Sequence, residues 1–395
     1  MHLLKVALIL AAVAATAYSQ ALDCNVESAV IPTVRTEGEA EPVGEVLVVC
    51  SGGTPAASTP INITLTLNTN ITSLSLGTGA VKSEALLLID DPSPDAVNTS
   101  NGFSYNGQVL GTPYVAAGAP GSGNVYLGEQ SSPASVTWSG VPFVAPGPSG
   151  TRTLRLTNLR ADATALPVVS GLSPVLASVS ATIPIGNASS IYVAFAAQGL
   201  TFSASVPGLG TANLTFTEGF PGAFRERIVP ATGPFTMARQ DIPGEVYFSE
   251  SQFTPCFTFG NCSSPPAGPI GLATTGTLLL ARMTKLGTTA ASVSAPNQVV
   301  SETGFLTAYL MVGGQPVLAA GNSSLPISGG SVNILYEVTG SMAFAFDAFT
   351  MPAALFDSSG APLAYPAHAV FSGYLAPVNS TTTASSTAPR PRFAP

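Results

Sequence analysis

Apolar and polar residues alternate along this chain with a period of two, which is the pattern of strands buried on one face. In residues 61–67, Ile61, Ile63, Leu65 and Leu67 fall on one side and Asn62, Thr64 and Thr66 on the other. Residues 151–157 repeat it, with Leu154 and Leu156 expected inward and Arg155 outward. Residues 46–49, 85–89, 212–216, 332–338 and 342–346 are further β-rich runs. Phe344 and Phe346 of the last run, with Phe349, are expected to fill a core. Turn clusters at 51–55, 91–95, 118–123 and 328–330 separate the runs, and glycine and proline at this density interrupt any long helix. The pattern predicts an all-β protein of tandem β-sandwich (Ig-like) modules, with little helix apart from a signal peptide.

The N-terminus supplies that leader. Lys5 is followed by an apolar run over 6–15, then by small residues at Ala17 and Ser19. This order marks residues 1–19 as a signal peptide cleaved before Gln20. The run is shorter than the roughly 20 apolar residues a bilayer span requires, so no transmembrane segment is expected. Three modules are expected after it, at 20–162, 163–270 and 271–376. The Ser/Thr/Pro-rich residues 377–395 have little to bury and are expected to be disordered.

Composition changes the picture in one respect. Hydrophobic residues make up 46% of the chain but charged residues only 9%, against about 25% in an ordinary soluble protein. The expected surface is one of hydroxyls and amides, with little electrostatic repulsion between copies. The net charge is −8, and cationic groups come no denser than the pairs Arg225/Arg227 and Arg390/Arg392. Nucleic-acid binding is therefore excluded. Four cysteines remain after the leader: Cys24, Cys50, Cys256 and Cys262. In an oxidising compartment they are expected to form two disulfides, for which proximity favours Cys24–Cys50 and Cys256–Cys262. A metal site is the weaker alternative, because no CxxC pair exists and one histidine is left.

Several segments together resemble an uncharacterised family of secreted bacterial β-sandwich proteins. They include Arg35-Thr36-Glu37-Gly38, Cys50-Ser51-Gly52-Gly53-Thr54, Leu154-Arg155-Leu156-Thr157-Asn158-Leu159 and Phe216-Thr217-Glu218-Gly219-Phe220 followed by Ala223-Phe224-Arg225. The resemblance implies secretion and Ig-like modules. It carries no assigned activity and no catalytic residue to transfer.

Candidate chemistry is sparse. His2 leaves with the leader, and His368 alone cannot build a multi-histidine metal site. A Ser-His-Asp triad lacks the G-x-S-x-G elbow. Glu218 and Glu226 flank Phe220-Pro221-Gly222 with Arg225 and Arg227 beside them, and form the one candidate acid pair for glycoside chemistry. Glu37, Glu39 and Glu41 form a second acidic stretch. Asp90, Asp91 and Asp95 form a weak Ca²⁺ candidate on a proline-rich turn. The glycine-rich residues 118–123 lack the Lys-Ser/Thr that a phosphate loop needs. Trp138 alternates with Val136 and is expected on a packed face, while Tyr105, Tyr114 and Tyr126 are better candidates for exposed aromatic platforms. Asn-x-Ser/Thr occurs at eight of the sixteen asparagines, which fits both glycan acceptors and strand surfaces patterned with Asn and Thr. No cofactor is implied. The chain reads as a secreted, non-catalytic surface or extracellular-matrix protein that contacts envelope or matrix components and self-associates. A carbohydrate-binding or carbohydrate-cleaving protein is the alternative.

Overall fold

The computed structural model describes residues 20–55, 59–73, 82–90, 125–167, 171–187, 190–208, 210–225, 276–340, 342 and 344–376. Residues 1–19, the residues from 377, Cys256, Cys262, Glu226, Asp91, Asp95, Tyr105, Tyr114 and residues 118–123 lie outside them. The described chain is all-β, in tandem β-sandwich units, and its helical content is the single 3-10 turn Ala163–Ala165.

Twelve strands build the first unit: β1 (Asp23–Ser28), β2 (Thr33–Arg35), β3 (Glu41–Pro42), β4 (Val46–Gly52), β5 (Thr59–Leu67), β6 (Lys82–Ile89), β7 (Val125–Ser132), β8 (Ser135–Phe143), β9 (Gly147–Thr157), β10 (Arg160–Ala161), β11 (Leu172–Ala181) and β12 (Ile191–Ala197). Ten of them form one sheet in the order β1-β4-β9-β6-β7-β8-β5-β11-β12-β2, while β3 pairs with β10. The alternation read from the sequence is what the sheet buries. Ile61, Ile63, Leu65 and Leu67 face the core, and Thr64 meets Thr137 across the β5–β8 ladder with their hydroxyls 2.8 Å apart. Asn62, Asn213 and Asn322 each lie in a strand whose next same-face residue is Ser or Thr, so a period of two by itself generates part of the Asn-x-Ser/Thr excess.

The two ends of this sheet meet. Gly186 N–H donates to Cys24 O (2.7 Å), Ser28 Oγ donates to Tyr192 O (2.7 Å), and Gly44 N–H donates to Val193 O (2.7 Å). The Asn187 side chain completes the seam as a surrogate peptide group. Its Oδ1 accepts from Val26 N–H (2.6 Å) and its Nδ2 donates to Val26 O (2.7 Å). Asn187→Ala leaves both groups of an edge strand without partners, and is expected to cost about 1–2 kcal/mol in a urea melt.

The second unit contains β13 (Leu200–Gly208), β14 (Thr211–Glu218), β15 (Leu278–Thr284), β16 (Ala290–Pro296), β17 (Gln298–Val300), β18 (Thr307–Val312), β19 (Gln315–Pro316), β20 (Asn322–Pro326), β21 (Val332–Val338), β22 (Ala348–Asp357) and β23 (Val370–Ala376). They form two sheets, β13-β14-β22-β16-β20 and β17-β18-β21-β15-β23, with β19 beside β18. Phe216, Phe224, Phe349, Met283, Leu279 and Tyr336 fill the space between them. The Tyr336 hydroxyl donates to Pro296 O (2.6 Å), which satisfies the polar end of a buried ring.

Three expectations from the sequence do not hold. First, the described strands of the expected second module do not pack as one unit, while the expected boundary at 270/271 lies outside the described residues. β11 and β12 complete the first sheet, whereas β13 and β14 belong to the second core, so the described part of 163–270 is shared between two units. The alternating Val175, Ala177 and Val179 make β11 a ladder partner of β5 despite the prolines around it. Second, Arg155 is buried rather than outward. β9 is a central strand, and Glu45 covers the face on which Arg155 lies. Third, Phe344 (95% exposed) and Phe346 (58%) are outside the core, and only Phe349 is buried. Buried Asp347 pins the chain just before β22, so the apolar alternation over 342–346 falls on the loop entering that strand.

Candidate functional site

Charged side chains are few, yet twelve of the described ones are buried, where charge is costly unless it is paired. Several of these meet at the junction of the two units. Arg35 ends β2, and Glu41 begins β3 across a turn containing Gly38. Glu41 Oε2 accepts from Arg35 N–H (3.1 Å), and Oε1 accepts from Nε (3.0 Å) and Nη2 (2.5 Å). Both side chains are essentially inaccessible. Two glycines make room for the pair. A Cβ on Gly38 would sit 2.1 Å from Glu41 Oε1, and one on Gly199 would sit 2.4 Å from Arg35 Cγ. These glycines are required by close approach rather than by a positive φ.

The remaining guanidinium nitrogen of Arg35 crosses to the second unit. Nη1 donates to Ala223 O (3.2 Å) and to Thr277 Oγ1 (3.1 Å). Thr277 Oγ1 also accepts from Arg225 N–H (2.7 Å), and Thr277 N–H returns to Arg225 O (2.7 Å). Arg225 reaches the other way, with Nη2 donating to Thr33 O (3.3 Å). Glu37 Oε2 accepts from Gly199 N–H (2.9 Å), and Gly219 N–H donates to Gly199 O (2.9 Å). Burial pushes the Glu41 carboxyl up. Arg35 and Arg225 outweigh it and hold the carboxyl below its ordinary value.

Glu218 organises the same corner from the second unit. Its Oε1 accepts from Phe224 N–H (2.7 Å) and its Oε2 from Asp347 N–H (2.9 Å), so it ties the 219–225 turn to the start of β22. Asp347 in turn accepts from Thr303 Oγ1 (2.6 Å) and Ala348 N–H (2.8 Å). Burial pushes the Glu218 carboxyl up to about 7, against the backbone donors of Phe224, Asp347 and Gly222 and with help from the nearby Asp347 carboxylate. A carboxyl raised from 4.5 to about 7 binds its proton more tightly in the folded state. Its contribution to stability is therefore full below pH 4.5 and is lost as pH rises through 7. The stability of the full chain is expected to fall by about 2 kcal/mol between pH 5 and 8 from this group. Urea melts of Glu218→Gln are expected to lack that slope, and an unchanged slope would assign it elsewhere.

The other sequence candidates are placed as follows. Cys24 and Cys50 are directly opposed in the β1–β4 ladder and joined by a disulfide. Asp90 accepts from Thr153 N–H (3.0 Å) and is paired with Arg152. No three His, Cys, Asp or Glu side chains gather as a metal site among the described residues. Trp138 is fully buried against Gly128, as its alternation implied, and Tyr126 is buried too rather than presented as a platform. His368 is exposed on the loop before β23. The Arg35–Glu41 pair was not read from the sequence. The signal available for it was the pair of Glu-Gly steps, Glu37-Gly38 and Glu218-Gly219, each followed within a few residues by the groups that meet at the junction.

No family model matches the chain, and no curated protein matches it either. Among solved structures, the pilus backbone of Streptococcus pneumoniae aligns at 10% identity and a TM-score of 0.18, over 84% of this chain and 50% of that one. The chain thus spans about half the length of that protein. Among the described residues no helix is long and apolar enough to cross a membrane.

Proposed function

We propose that this is a secreted, non-catalytic surface or extracellular-matrix protein, whose β-sandwich units contact envelope or matrix material and associate with one another. The observation that carries the reading is the use made of charge. Glu41, Glu45, Glu218 and Asp347 each direct carboxylate oxygens at internal N–H, hydroxyl or guanidinium donors. These acids act as framework, joining strands and units, and leave few charges on the outer surface. The leader and the disulfide fit an oxidising, extracellular setting. For the carbohydrate alternative, Glu218 is the acid of interest, and it is 2% exposed with both oxygens already bonded. The test is co-sedimentation of the full chain with isolated envelope material, alongside a polysaccharide hydrolysis panel. Binding without hydrolysis is expected. Hydrolysis lost in Glu218→Gln or Glu226→Gln would overturn the reading in favour of the alternative.

A further inference from the structure

Nearly every sheet edge among the described residues is short or covered. β1 is sealed by Gly186 and Asn187. β2, β17 and β19 are three residues or fewer. β20 ends in Pro326, and its flank is bridged to β17 through Asn297, which donates from N–H to Gly321 O (2.8 Å) and from Nδ2 to Ala319 O (3.0 Å). Long uncharged edges left open invite strand pairing, which is why proteins blunt them.

Two uncharged end strands are longer, β13 and β23 (Val370–Ala376), and they approach each other where Phe202 lies over Gly373. β13 ends the five-stranded sheet, pairs with β14 alone, and from Leu200 to Gly208 carries no charge. Residues 203–208 are all exposed. Phe202 points into the core, packing on Phe216 and lying where a Cβ on Gly373 of β23 would be. Two residues on, Ala204 shares its face but is uncovered, and Val206, within the irregularity between Ser205 and Gly208, is 46% exposed. Over Ser203–Ser205, beyond the contact of Phe202 with β23 and before the irregularity, the strand therefore offers a ladder edge with an uncovered apolar residue, Ala204.

We infer that a second copy of this chain pairs antiparallel with β13 about a twofold axis at Ala204. The pattern of the strand is self-complementary in that register. Within the regular stretch Ala204 faces Ala204 and Ser203 faces Ser205, and Val206 at the irregularity is brought toward Phe202 of the other copy, so apolar meets apolar and hydroxyl meets hydroxyl. No charge on either strand opposes the approach, and Pro207, which lacks an N–H, sets the end of the ladder. The five-stranded sheet becomes a continuous sheet across two copies. The inference rests on the association proposed above and assigns it an edge.

The test uses the full chain with its native disulfide. Ala204→Cys is oxidised at increasing protein concentration, and the 204–204 cross-link is sought by mass spectrometry, with Ser324→Cys on β20 as the control edge. Ser203→Lys with Ser205→Lys places like charges opposite one another and is expected to weaken association by about tenfold or more, with an unchanged melt. A cross-link at 204 together with dissociation of the lysine variant is the expected result. Association that persists in the lysine variant without a cross-link at 204 overturns this edge but leaves the proposed function standing. A wild-type chain that is monomeric at every concentration overturns the pairing itself, while envelope binding continues to report on the function separately.

Discussion

Replacing Arg35 with alanine is expected to destabilise the protein by about 3–5 kcal/mol, the effect of leaving one member of a buried pair without its partner. Glu41 would remain at 0% exposure, with the N–H of residue 35 as its one remaining bond from that position. Ala223 O and Thr277 Oγ1 would lose the donor that joins the two units. A second signature is therefore expected. Wild-type unfolding monitored at Trp138, which lies in the first core, should coincide with unfolding monitored by far-UV circular dichroism. In Arg35→Ala the two should separate, because the units lose their shared guanidinium. The double variant Arg35→Met/Glu41→Met is expected to recover much of the loss, since it removes the buried charges together. A single variant no less stable than wild type would show that the pair is not enclosed.

The second large effect lies at the other end of the first unit. Removing the Cys24–Cys50 disulfide is expected to cost about 2–5 kcal/mol, of which the chain-entropy contribution is about 3. The bond spans 26 residues of sequence, and both half-cystines are at 0% exposure inside the core. It fixes the register of β1 on β4, and β1 is the strand on which the sheet closes through Gly186 and Asn187. Cys24→Ala/Cys50→Ala avoids placing a buried hydroxyl and leaves Cys256 and Cys262 untouched. Its urea midpoint should fall well below wild type. With Asn187→Ala added, the losses should exceed their sum, because both changes loosen the same strand.

Strand content was legible in the sequence because a period of two is a local property. Residues 61–67, 212–216 and 332–338 all lie in strands, with the apolar face inward as their alternation implied. The failures are those of tertiary context. Arg155 alternates as a surface residue would, and nothing local reveals that Glu45, over a hundred residues away, covers its face. Phe344 and Phe346 alternate as core residues would, but the anchor that ends their run is Asp347, bound to Thr303 and to Glu218. Unit boundaries were hidden because β11 and β12 return to a sheet begun by β1 and β4, a pairing set by long-range register and not by linker composition. At the junction, Glu218 drew attention in the sequence as half of an acid pair with Glu226, which lies outside the described residues. The partners of Glu218 proved to be backbone donors, which no sequence pattern specifies.

The interior charges and the neutral surface have one physical consequence together. With twelve of the described charged residues held inside, few charges remain outside, and the β13 edge itself carries none. Sedimentation velocity of the full chain over a hundredfold range of concentration tests this most directly. The expected result is a growing population of species at multiples of the chain mass, insensitive to added salt. A single monomer peak at every concentration would contradict the account.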